Sequence, residues 1–200
     1  MAPQTKLMGF FERVRQFAAL VESSTYTKQD GSVLGIEDGM AAACEMILLA
    51  RNQGSAVFVI GNGGSAAIAS HAVIDLINVA KIRAFTLHEP SVMTGLTNDY
   101  GYENAYSRML DQMSKPGDVL VAISSSGRSL NICKAADQML NNGGKVMTLS
   151  GFSHDNPLRA QGDLNIWLDA CDYGLVEVGH QFILHNLSDR FGAGYLLSEQ

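Results

Sequence analysis

From residue 56 onward the chain alternates short, continuous apolar runs with longer segments of helical period, and this alternation restricts the fold more than any other feature. The apolar runs are AVFVI (56–60), RAFTL (83–87), DVLVAI (118–123), KVMTLS (145–150) and LNIWL (164–168). Runs of this length without polar alternation suit parallel strands covered on both faces. The segments between them predict helices near 64–80, 102–113, 128–141 and 176–197. Strands and helices in this order build a doubly wound α/β fold, here with a five-stranded parallel sheet and right-handed crossovers. Ligands of such folds bind beyond the carboxyl ends of the strands, near the point where strand order reverses.

Two further helices precede this pattern. Residues 7–22 place Phe10, Val14, Phe17 and Leu20 on one face, and IEDGMAAACEMILLARNQ predicts a helix over 36–53. The stretch SSTYTKQDGS (23–32) breaks the periodicity with turn formers. Residues 1–34 are therefore read as an N-terminal oligomerisation helix and linker, and 35–200 as the main domain, a size that suits one α/β domain. The apolar surface of the N-terminal helices leaves two readings open, packing against another subunit or covering one end of the sheet.

Composition removes several function classes. The net charge of −6 gives no overall basic field for nucleic acid or an acidic membrane. Three cysteines, Cys44, Cys133 and Cys171, have no paired spacing, which argues against a disulfide framework or a cysteine zinc site. No apolar run reaches the ~20 residues of a membrane span, and the start lacks the order of a secretion signal. A cytoplasmic protein is expected.

Two strand ends carry anion chemistry. The run at 56–60 leads into Gly61-Asn62-Gly63-Gly64-Ser65 and then a helix. Glycines let the backbone approach an anion closely, and the helix start behind them supplies free N–H groups and roughly half a positive charge. The run at 118–123 leads into Ser124-Ser125-Ser126-Gly127-Arg128-Ser129 and another helix. Capping that helix needs only one serine. Four hydroxyls at one strand end point instead to phosphate oxygens. The glycine spacing is neither GxGxxG nor the GxxxxGKS nucleotide loop.

A GNGGS loop followed by an SSSGxS loop resembles the sugar isomerase (SIS) domain. The segment Leu96-Thr97-Asn98-Asp99-Tyr100-Gly101-Tyr102-Glu103 and the residues from Lys115 to Ser124 extend the resemblance over about residues 35–190 and narrow it to the phosphoheptose isomerase branch. The resemblance implies a flavodoxin-like fold, a homotetramer and a phosphorylated heptulose substrate. It implies that Asn62, Gly63, Ser65, Asn98, Asp99, Ser124, Ser125, Ser126, Ser129 and Glu177 bind substrate.

Titratable residues cluster in two helices. His71 and Asp75 are spaced i, i+4, and Glu177, Gln181 and His185 form a stripe at i, i+4, i+8. In the family resembled, the matching positions supply zinc ligands and the acid–base pair. This implies His71, Asp75, Glu177 and His185 as a metal site, with Zn²⁺ as the metal, Asp75 as base and His185 as acid. Glu177 and His185 lie ~12 Å apart along an ideal helix, which strains a shared ion. The chain departs from the commonest family pattern: Asp75 stands for Glu, Glu177 for Gln, Gly174 for Asp, Val79 for Arg and Arg128 for Asn. His180, Trp167 and the nine methionines read as structural.

The implied activity is aldose–ketose isomerisation of sedoheptulose 7-phosphate to D-glycero-D-manno-heptopyranose 7-phosphate through an enediol, for surface-polysaccharide synthesis. Two other classes share the loops: a non-catalytic, DiaA-like binder of a replication initiator, and a phosphosugar sensor. The presence of Asp75 and His185 favours the enzyme.

Overall fold

The computed structural model describes residues 9–194. All five apolar runs are strands: β3 (Ala56–Ile60), β4 (Arg83–Thr86), β5 (Val119–Ser124), β6 (Lys145–Ser150) and β7 (Leu164–Trp167). They pair in parallel in the order β7-β6-β5-β3-β4. Alternate residues face opposite layers. Val57 and Val59 pack with one core beneath α2 (Ile36–Asn52), α3 (Gly64–Asn78) and α7 (Tyr173–Gly192). Phe58 and Ile60 pack with a second core beneath α5 (Ala105–Met113) and α6 (Leu130–Asn141). Both faces are covered, which is why the strands need no polar residue at every second position.

The sheet is larger than five strands. The stretch read as a turn-rich break (23–32) holds β1 (Thr25–Lys28) and the turn of an antiparallel hairpin completed by β2 (Val33–Leu34). β1 adds antiparallel to β7, pairing Tyr26 with Ile166. The turn formers are only the hairpin tip, where Gly31 adopts φ +81°. Tyr26 is buried against α2: a Cβ on Gly39 would lie 2.3 Å from its ring. Residues 25–34 are thus the edge of the main sheet.

A second difference lies at Pro90–Tyr100, which forms helix α4 although its sequence has no clear apolar stripe. Pro90 supplies the first turn, and the Glu89 side chain accepts from the Val92 N–H at 2.8 Å. A 3₁₀ turn, Tyr102–Asn104, separates α4 from α5. Helix α1 (Phe10–Glu22) lies on α7, with Phe17 edge-to-face on Phe182 and Arg13 2.6 Å from Asp172. The expected helix starts at residues 7–8 and ends at 195–197 fall outside the described residues. Among the described residues, no helix is long and apolar enough to cross a membrane.

His180, on α7, is fully buried, with Nε2 3.1 Å from the Ser150 carbonyl. Burial pushes its pKa from 6.5 down to about 4, despite the opposing carbonyl. Between these values the unfolded chain binds more protons than the fold. The contribution is complete above pH 6.5 and is lost as pH falls toward 4, amounting to about 3 kcal/mol. Urea unfolding at pH 7 and pH 4.5 is expected to show this loss in the wild type and a smaller one in His180→Gln. Equal pH slopes in the two proteins would contradict it.

Candidate active site

The chain passes from β3 to its neighbour β4 and then crosses back to β5 on the other side of β3. This reversal opens a crevice beyond the carboxyl ends of β3 and β5, where the two Gly/Ser loops lie. A cavity of about 270 Å³ occupies it, lined by Asn62, Gly63, Gly64, Ser65, Ser124, Ser125, Ser126 and Ser129, with Tyr173 and Glu177 at the edge. The amino ends of α3 and α6 converge here, so backbone N–H groups and helix dipoles favour an anion.

The loop backbones require their glycines. Gly63 turns at φ +54°, ψ −122°. A Cβ on Gly61 would stand 2.5 Å from the Ser65 carbonyl, and one on Gly64 would stand 2.5 Å from a Glu177 carboxylate oxygen. Gly127 turns at φ +62°, and its absent Cβ leaves room for the buried side chain of Asn156. The hydroxyls are partly committed within the loop. Ser124 Oγ donates to Ser129 Oγ at 3.2 Å, and Ser126 Oγ accepts from the Arg128 N–H at 3.2 Å. Ser125 Oγ is buried with no hydrogen-bond partner within the protein.

Further along α3, where α7 packs beside it, His71, Asp75 and His185 converge. Asp75 Oδ2 lies 3.3 Å from His185 Nδ1 and 3.6 Å from His71 Nε2. The two imidazoles meet edge-to-face at 4.6 Å between centroids. One ligand atom from each residue falls within 4.8 Å of the others, close enough to hold one metal ion. The carboxylate is 20% exposed and the imidazoles about half exposed, so the cluster opens to solvent on one side.

The structure separates residues that the resemblance grouped. Glu177 stands outside this cluster and lies against Gly64 at the cavity edge. Asn98 and Asp99 are exposed near the end of α4, with Asn98 Nδ2 donating to Asp99 Oδ1, and neither lines the cavity. Sequence reasoning missed Tyr102 and Asn131, whose side chains reach Asn62, and Tyr173 at the rim. Nothing local marks them, since their partners lie 40 and 69 residues away. A hollow of about 430 Å³ at the opposite end of the strands includes Lys145 and Asp163, which neutralise each other at 2.7 Å.

Residues 33–151 match the SIS domain. This chain belongs to that family. It is 37% identical over 160 residues to the phosphoheptose isomerase of Geotalea daltonii, covering 75% of this chain and 81% of the relative. It is 30% identical over 172 residues to that of Campylobacter concisus, covering 83% and 90%. The structure of phosphoheptose isomerase GmhA from Neisseria gonorrhoeae superposes with a TM-score of 0.79 over 92% of this chain and 95% of that one, at 22% identity, which shows the shared fold.

Proposed function

We propose that this SIS protein is a phosphoheptose isomerase, converting sedoheptulose 7-phosphate to D-glycero-D-manno-heptopyranose 7-phosphate through an enediol, for heptose and surface-polysaccharide synthesis. One observation carries the reading: the anion cavity lies at the amino end of α3 and the acid–base cluster lies further along the same helix, at a fixed spacing. Ser65 and His71 are six residues apart on α3, or ~9 Å along its axis. That separation is comparable to an extended seven-carbon sugar, whose phosphate and reacting carbons are at opposite ends.

The serine hydroxyls and helix N–H groups hold the phosphate. Glu177, acidic and pressed against the glycine loop, repels phosphate and accepts from sugar hydroxyls. Asp75 removes a proton from C1, and His185 donates one to the C2 carbonyl oxygen, giving the 1,2-enediol. The proton on Asp75 then goes to C2 while His185 takes the C1 hydroxyl proton, leaving the C1 aldehyde and restoring both side chains. His71 orients Asp75. Two imidazole nitrogens and one carboxylate oxygen fit zinc with an open position, and because ligation lowers the basicity of a side chain, the ligand and proton-transfer roles compete at Asp75 and His185. Bound there, zinc would polarise the sugar oxygens and stabilise the enediolate charge.

A homotetramer completes the reading. Phe10, Phe11 and Val14 on α1 and Val178 and Phe182 on α7 are exposed apolar groups on adjoining helices, suited to burial against another copy.

Incubation with sedoheptulose 7-phosphate, with and without a chelator, tests the function. An aldoheptose phosphate is expected, with turnover lost on chelation and restored by zinc. Absence of turnover in the zinc-loaded protein would overturn the isomerase reading, and full turnover after exhaustive chelation would overturn the metal.

A further inference from the structure

The two anion-binding loops come from distant parts of the chain, yet a single side chain joins them. Asn62, in the glycine loop, forms a reciprocal amide pair with Asn131, in the first turn of α6 behind the serine loop. Asn62 Nδ2 donates to Asn131 Oδ1 at 2.9 Å, and Asn131 Nδ2 donates to Asn62 Oδ1 at 2.9 Å. Asn62 Oδ1 accepts a second bond, from the Tyr102 hydroxyl at 2.7 Å. The Tyr102 turn is itself tied to α6, because Lys134 Nζ donates to Asn104 Oδ1 at 2.7 Å. From beneath, the buried Tyr106 hydroxyl donates to the Gly61 carbonyl at 2.9 Å.

We propose that Asn131 and Tyr102 are positioning residues that act through Asn62 to lock the glycine loop against the amino end of α6, fixing the spacing of the two helix N-termini that grip the phosphate. This rests on the isomerase reading for its substrate, and on the cavity alone for its anion.

The physical reasons are threefold. An amide oxygen has two acceptor sites, and both on Asn62 are filled within the protein. Asn62 therefore meets a ligand only through N–H groups, and the loop presents donors to an anion. Next, Asn131 is only 3% exposed, and a buried amide is retained where its bonds are made. Its partner is 69 residues away, so the pair fixes tertiary geometry rather than a local turn. Last, Gly61 and Gly64 on either side of this stretch pack too closely for a Cβ, against Ser65 and Glu177, so a loop tied at Asn62 keeps its position between them.

A phosphate anchor binds ground state and transition state alike, so its disturbance raises KM with little change in kcat. Asn131→Leu, apolar and close in size, is expected to raise the Kd for inorganic phosphate and the KM for sedoheptulose 7-phosphate together, by about 10- to 100-fold. The kcat should stay within about threefold, because the reacting carbons are held by the separate α3–α7 cluster. Tyr102→Phe removes one oxygen from a half-exposed ring and should raise both constants about fivefold, as one neutral hydrogen bond would.

Unchanged phosphate affinity in Tyr102→Phe, or a fall in kcat at constant KM in either variant, overturns the proposal. If Asn131→Leu fails to fold, Tyr102→Phe decides alone. Phosphate titration by calorimetry needs no turnover. A wild type that binds phosphate but isomerises no heptulose phosphate would sink the isomerase reading while the loop lock is still judged by the Kd values.

Discussion

Asp75→Asn is expected to fold as the wild type does and to lose isomerisation by about 10²- to 10⁴-fold. Removing a proton from carbon requires a base held within hydrogen-bond reach. Asp75 is the carboxylate at the centre of the cluster, 3.3 Å from His185 and 3.6 Å from His71. Asparagine keeps its shape and cannot take the proton. Both partners are half exposed, so the change removes little from stability and the effect should appear in kcat. His185→Ala should lose activity on a similar scale, since it removes the proton donor beside the base. Both side chains are also candidate metal ligands, so zinc content must be measured in each variant. Ser126→Ala, by contrast, should raise KM and spare kcat, because it touches only the phosphate end. Near wild-type turnover in Asp75→Asn would move the base elsewhere.

Gly127→Ala is expected to be the most damaging single-methyl change in the site. Its φ of +62° alone costs an L-residue about 1–2 kcal/mol. Beyond that, the new Cβ would lie 1.8 Å from Asn156 Oδ1. Asn156 is 2% exposed and fully engaged: it donates to Ser150 Oγ and the Gly151 and Ser153 carbonyls, and accepts from the Arg159 N–H. It cannot swing away without stranding buried polar groups at about 1–3 kcal/mol each. A total near 4 kcal/mol follows, read as a lower urea midpoint at unchanged m. Phosphate affinity should fall as well, because the Gly127 carbonyl accepts from the Leu158 N–H at 3.1 Å and fixes the serine loop. Gly54→Ala, outside the site, is the control. It carries positive φ with open space where a Cβ would stand, so it should cost only the backbone share. Equal destabilisation in the two variants would refute the steric argument.

The sequence by itself determined the parallel layer and the strand ends at which folds of this kind bind ligands. Continuous apolar runs such as AVFVI require cover on both sides, and the two cores on opposite faces of β3 supply it. The Gly/Ser loops announce an anion site through residue type alone, and the 3.6-residue period puts His71 and Asp75 on one face. These are local properties, written within one turn or one strand. Only the tertiary structure decided the rest. The β1–β2 hairpin looked like a break because its turn formers are local, whereas its pairing with β7 spans about 140 residues of chain. Helix α4 buries no residue fully, and only Met93 and Leu96 pack partly against the core, a stripe too narrow to read. His185 joins Asp75, and Glu177 goes to the cavity instead, because α7 lies alongside α3 in the same direction, so Glu177 meets Gly64 at the start of α3 and His185 meets Asp75 further on. The Asn62–Asn131 pair has the same origin. Periodicity states which face of an element is buried, but not which face of another element it will meet; that is fixed by crossing angle and register, when the whole core closes.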